Sequence, residues 1–129
     1  MRDRGSAVLI ENNQVALIKR LKNGATYYVF PGGGIEEGET PEEATKREAY
    51  EELGIDIAVK ESIAEIDFNG KQFFFLGDIV DGKFGTGQGE EFSDESIGTY
   101  IPMWVNIEDL TSIDVRPREV AEKIQALLK

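Results

Sequence analysis

Glu48, Glu51 and Glu52 are the residues with the most chemistry to offer in this chain. Residues three and four apart share one face of a helix, so on a helical segment these carboxylates gather over a single turn. Like charges at that spacing destabilise an isolated helix by roughly 0.2–0.5 kcal/mol per pair. A bound divalent cation would remove the repulsion, because hard cations such as Mg2+ take oxygen ligands. Glu43, Arg47 and Glu51 stand at i, i+4 spacing. Arg47 can therefore orient Glu51 and offset part of the crowding.

The helix that must carry these groups is well marked. Thr40 is suited to the N-cap, Pro41 to the first helical position, and Glu43 completes a T-x-x-E capping box. Gly54 suits the position just past the end, so the helix is expected over Pro41–Leu53. Ala49, Tyr50 and Leu53 are expected roughly opposite the carboxylates, packed on the core. Before the helix, Pro31-Gly32-Gly33-Gly34 is expected to stop regular structure and let a ligand approach the main chain.

The rest of the chain reads as short strands and one more helix. Residues 6–11 and 14–21 form strands joined at Asn12-Asn13, and Asn23-Gly24 turns the chain into a third strand, 26–30. Residues 55–68 and 72–80 make a hairpin about Asn69-Gly70. Residues 81–97 are polar, glycine-rich and acidic, long enough for a loop to suggest function or mobility. Residues 100–107 return as a strand whose Pro102 places it at an edge or bulge. A helical turn at 108–110 precedes an amphipathic helix over 117–128, with Val120, Ile124, Leu127 and Leu128 on its apolar side.

Length and composition fit one soluble domain spanning 1–129: 129 residues, 40% hydrophobic and 30% charged. A net charge of −11 argues against a nucleic-acid polymer or an anionic membrane as partner, since both need basic surface. A small nucleotide is still compatible, because a metal can mask phosphate charge. The absence of cysteine excludes disulfide and thiol chemistry. The absence of histidine removes the usual general base, so acid–base work falls to Glu, Asp, Lys or Tyr. The N-terminal apolar run is too short for a signal peptide, and none approaches the ~20 residues of a membrane span. A cytoplasmic location is the expectation.

Residues 33–55 resemble the Nudix box, G-x5-E-x7-R-E-U-x-E-E-x-G-U, where U is aliphatic. Gly33, Glu39, Arg47, Glu48, Glu51, Glu52, Gly54 and Ile55 fill its fixed positions without a gap, and Ala49 is smaller than the usual aliphatic residue. The resemblance extends to the hairpin before the box, to Phe30-Pro31-Gly32-Gly33, and to Trp104-Val105 followed by an acidic turn.

The resemblance implies an α/β (α+β) fold, the α/β/α sandwich in which a mixed sheet lies between the box helix and a C-terminal helix. It also implies metal-dependent hydrolysis of a nucleoside diphosphate linked to another moiety, with a nucleoside triphosphate or modified nucleotide favoured. ADP-ribose or nucleotide-sugar hydrolysis and a non-catalytic nucleotide-binding module are the alternatives. The lack of a proline between Asp56 and Pro102 disfavours the ADP-ribose enzymes, and Gln72-Phe73-Phe74-Phe75 lacks the tyrosine of some dinucleoside polyphosphate hydrolases.

Glu48, Glu51, Glu52 and the carbonyl of Gly33 match the family's ligands for Mg2+, with Mn2+ as a substitute. Arg47 matches the residue that orients them, and Glu39 reads as structural. The general base is left between Glu48 and the loop residues Glu90, Glu91 and Glu95; Glu91 also counts as a substrate contact. Lys19 and Arg20 fall where the family places a phosphate-binding cation, Arg20 being preferred. Tyr27, Tyr28 and Phe74 could stack on a base, though a core or sheet role is favoured for each. Trp104 reads as core. A homodimer is common among similar proteins.

Overall fold

Asn12 and Asn13 take φ values of 50° and 65°, and Asn23 and Gly24 take 53° and 78°. Both central residues of a type I′ turn need that left-handed backbone, so each pair reverses the chain and sets an antiparallel hairpin. The computed structural model describes residues 2–84 and 99–127. Strands β1 (Arg4–Glu11), β2 (Gln14–Lys22) and β3 (Ala25–Val29) follow one another across the two turns.

The glycine run does not end regular structure as expected. Gly32–Gly34 forms a short strand, β4, antiparallel to the first half of β1, with Arg4 opposite Gly34 and Ser6 opposite Gly32. The glycines permit the close approach: a Cβ on Gly32 would meet Ser6 Oγ and the Gly5 carbonyl. Glycine has no side chain to give a strand its alternation, which is why the pattern does not betray it.

Helix α1 (Pro41–Leu53) forms as its termini dictate. Glu43 N–H donates to Thr40 Oγ1 at 3.0 Å, and Thr40 N–H donates to Glu43 Oε1 at 2.9 Å. Gly54 closes the helix at φ 73°, its N–H donating to the Tyr50 carbonyl at 2.9 Å. Beyond it come β5 (Ile55–Asp67), β6 (Lys71–Gly82), β7 (Thr99–Asn106), a 3-10 turn at Ile107–Asp109, β8 (Val115–Arg116) and α2 (Arg118–Leu127). The turn between β5 and β6 holds Phe68 besides Asn69 and Gly70. The Phe68 N–H donates to the Gly70 carbonyl at 2.9 Å.

The sheet runs β5-β6-β1-β2-β3-β8, with β4 added on β1 and β7 on β2. The β1–β6 and β3–β8 pairs are parallel and the others antiparallel, so the sheet is mixed. β7 pairs only with β2 among the described residues, which gives Pro102 the edge position it needs. Alternation along β1 and β2 feeds two cores. Val8, Val15 and Leu17 pack with Phe30, Phe74 and the Val120, Ala121 and Ile124 side of α2. Ala7, Leu9, Ala16 and Ile18 pack with Ala49 and Leu53 of α1 and with Ile55 and Ile57. The two helices therefore cover opposite faces, the α/β/α sandwich that the sequence led us to expect.

Three expectations are corrected. Tyr50 does not join the core; it is 67% exposed. At about 100° per residue it lies a further step round α1 from Ala49, on the outward side, while Glu52 falls among the buried positions. Leu127 is half-exposed at the end of α2, and Leu128 lies outside the described residues. The stretch expected as loop from residue 81 begins as strand, because β6 continues to Gly82. Among the described residues no helix is long and apolar enough to cross a membrane.

Candidate functional site

Arg47 is the hub of the α1 surface. Its Nε and Nη2 donate to both carboxylate oxygens of Glu39, at 2.8 and 3.1 Å. Its Nη1 donates to Glu48 Oε2 and to Glu51 Oε1, each at 3.0 Å, and Nη2 also donates to the Gly34 carbonyl at 3.0 Å. One planar guanidinium thus ties the loop before the helix, the helix and β4 together, using the fixed fork that lysine lacks. The expected Glu43–Arg47–Glu51 ladder is half present. Glu43 is committed to the capping box, and Glu39 takes its place on Arg47.

The electrostatics follow from these contacts. The Arg47 hydrogen bonds and the Glu36 N–H hold Glu39's carboxyl down at about 2. Hydrogen bonding to Glu39 pushes Arg47 above its already high value. Burial pushes Glu48 up from the ordinary carboxylate range, against the pull of Arg47. Glu52 is buried, 7% exposed, and its Oε1 accepts the Gly32 N–H at 2.7 Å. Glu51 is the open member, with half its side chain in solvent.

The donors suit a hard cation: carboxylate oxygens from Glu48, Glu51 and Glu52, with no sulfur or imidazole. Gly33 makes the cradle, because a Cβ there would sit on the Glu48 carboxylate. In the conformations described, Glu48 and Glu51 turn toward Arg47 and Glu52 toward Gly32, and no three acidic side chains among the described residues form one cation-sized group. Of the three, Glu51 is the most exposed, held by Arg47 at one oxygen.

The basic pair is split. Lys19 pairs with Tyr28 and Arg20 with Tyr27 across β2 and β3, so alternation puts them on opposite sheet faces. Arg20 shares the Ile18 face, its guanidinium carbon 3.8 Å from the Tyr100 ring centre and 5.8 Å from that of Tyr27. Arg116 covers Tyr27 at 4.2 Å. Tyr28 packs against the α2-side core, and Phe74 is buried edge-on to Phe30. Trp104 is half-buried against Phe84 and borders the α1-side core. Glu90, Glu91 and Glu95 lie outside the described residues.

One feature escaped the sequence. A pocket of about 460 Å³ opens beside the start of β1, lined by Phe30, Ile66, Phe68 and Phe74 and by Arg4, Asp67, Gln72, Arg116 and Glu119. Its walls come from β1, β3, β5, β6, β8 and α2, so no local pattern encodes it. Arg4 at the foot of β1, a cation in an acidic chain, is the signal that could have pointed there.

Comparison with known proteins agrees with this geometry. The NUDIX domain family model matches residues 1–126. An RNA pyrophosphohydrolase from Psychromonas ingrahamii is 46% identical over 48 residues, 37% of this chain and 26% of that protein. The Escherichia coli 8-oxo-dGTP diphosphatase is 49% identical over 47 residues, 35% of this chain and 36% of that protein. The matched stretches thus span only about a quarter to a third of these curated relatives. A solved structure from work on MutT of Aliivibrio salmonicida and Vibrio cholerae superposes with a TM-score of 0.76 at 23% identity, over 97% of this chain and 96% of that one. At that identity the likeness concerns the fold.

Proposed function

Because the chain belongs to the Nudix family, we propose that it is a metal-dependent pyrophosphohydrolase. It cleaves a nucleoside diphosphate linked to another moiety, with a nucleoside triphosphate or modified nucleotide as favoured substrate. The observation that carries this reading is the Arg47 hub, which holds Glu39, Glu48 and Glu51 against the glycine strand. The names of the two curated relatives, a pyrophosphohydrolase and a diphosphatase, support the reaction class. The charge of −11 favours a small nucleotide over a nucleic-acid polymer. A cytoplasmic location and a homodimer belong to the same reading.

Glu48, Glu51, Glu52 and the Gly33 carbonyl would hold Mg2+ or Mn2+. When bound, the cation neutralises phosphate charge and renders a water nucleophilic. Arg47 keeps Glu48 and Glu51 in place through one oxygen each, leaving the others for ligation. Glu48 is the described residue that would accept the proton of the attacking water; Glu90, Glu91 and Glu95 are the other candidates for that base, and Glu91 also for contact with substrate. Arg20, with Lys19 as second choice, would meet substrate phosphate. The aromatic pocket is suited to a flat base, since ring faces and edges reward stacked and edge-on contacts.

The test is product release from nucleoside triphosphates, oxidised nucleotides, ADP-ribose, nucleotide sugars and dinucleoside polyphosphates, each with Mg2+, Mn2+ or chelator. Metal-dependent turnover of one class supports the reading and names the substrate, ADP-ribose or a nucleotide sugar being the alternative. Tight nucleotide binding without turnover of any compound would replace the enzyme with a binding module.

A further inference from the structure

We propose that Arg4 grips the substrate's phosphate chain where it passes from the aromatic pocket to the carboxylate helix; this rests on the nucleotide-hydrolase reading above. Alternation along β4 sets the geometry. Gly33 faces the Glu48 carboxylate on one side, and Gly34 faces the Arg2 guanidinium on the other. Arg4, two residues from Arg2 and in register with Gly34 and Gln72, lines the pocket.

Arg4 is also uncommitted. Arg2 is spent on the Ile35 carbonyl at 3.2 Å, Arg116 on Asp114 at 2.9 Å, and Arg47 on its glutamates. The Arg4 side chain makes no hydrogen bond or ion pair with another described residue, and the residue is exposed, although the chain holds 25 acidic side chains. Gln72, its neighbour across the sheet, turns its amide N–H to the Phe68 carbonyl at 3.1 Å. A nucleotide whose base fills the pocket must bring a polyanion past the glycine strand toward three glutamates. A guanidinium at that crossing screens the approach and can take two phosphate oxygens at once.

The experiment measures calorimetric binding of inorganic pyrophosphate, ADP, GDP, adenosine and guanosine with chelator present. The proteins are the wild type, Arg4→Gln, Arg4→Lys and, as a control for net charge, Lys60→Gln, whose ammonium pairs with Asp78 at 2.6 Å away from the pocket. Loss of one charge-assisted contact predicts diphosphate binding weakened about tenfold or more in Arg4→Gln, partly restored in Arg4→Lys and kept in Lys60→Gln. Binding of the nucleosides stays unchanged. Equal diphosphate binding by wild type and Arg4→Gln, or an equal loss in Lys60→Gln, overturns the assignment to Arg4 alone. A wild type that neither binds nor turns over any nucleotide overturns this proposal together with the reading beneath it.

Discussion

Replacing Arg47 with Gln removes four hydrogen bonds to carboxylates and one to the Gly34 carbonyl. Hydrogen bonds to charged groups are worth about 1.5–3 kcal/mol each when shielded. Here the Arg47 side chain is 26% exposed and that of Glu51 52%, so water discounts the sum. Glu48 is more enclosed and would lose its counter-charge, a penalty below the about 3–5 kcal/mol of fully buried pairs. We expect a destabilisation of about 2–4 kcal/mol. At roughly 3–5 °C per kcal/mol for a chain of this size, the melting temperature falls by roughly 6–20 °C. Urea and thermal unfolding in chelator measure it. Added Mg2+ should then stabilise Arg47→Gln more than wild type, because the variant's carboxylates have lost their only shared internal cation among the described residues. A shift under about 2 °C, with no extra response to Mg2+, would show that the glutamates are solvated independently and refute the hub.

Two further predictions follow from the same contacts. Gly33→Ala should displace the Glu48 carboxylate and lower kcat/KM on the best panel substrate by about tenfold or more, since small misplacements of a catalytic group are costly; circular dichroism should show a retained fold. Glu39, held at about 2 when folded, contributes stability that is fully present above the ordinary carboxylate value and lost as pH falls through about 2. The urea-midpoint gap between wild type and Glu39→Gln should therefore stay constant from pH 7 to 5 and close steadily below; a gap independent of pH down to 2 would contradict that role.

The parts of the fold legible in the sequence are those fixed by local rules. The limits of α1 follow from Thr40, Glu43 and Gly54, whose bonds lie within four residues of one another. The asparagine turns are equally local. What the sequence concealed depends on partners far along the chain. The glycine strand exists because β1 is there to pair with it. Tyr50 points outward because the sheet covers the Glu52 side of α1, and no count of apolar residues distinguishes the two. Lys19 and Arg20 are adjacent in sequence but opposed on the sheet once β2 is paired on both sides. The pocket and the exposure of Arg4 arise only when β1, the β5–β6 hairpin and the β8–α2 junction meet. In the candidate site, motif spacing pointed to Glu48, Glu51, Glu52 and Arg47, but not to the burial that separates Glu52 from the exposed Glu51.

The central claim, that the α1 carboxylates form a cation site, is tested most directly by titrating Mn2+ into wild type and Glu52→Gln and following bound metal by electron paramagnetic resonance. Glutamine keeps an acceptor for the Gly32 N–H, so the fold should survive while a charged ligand is lost. The account predicts saturable Mn2+ binding to wild type, displaced by Mg2+ and weakened about tenfold or more in the variant. Identical binding by the two proteins, or none by wild type, would contradict it.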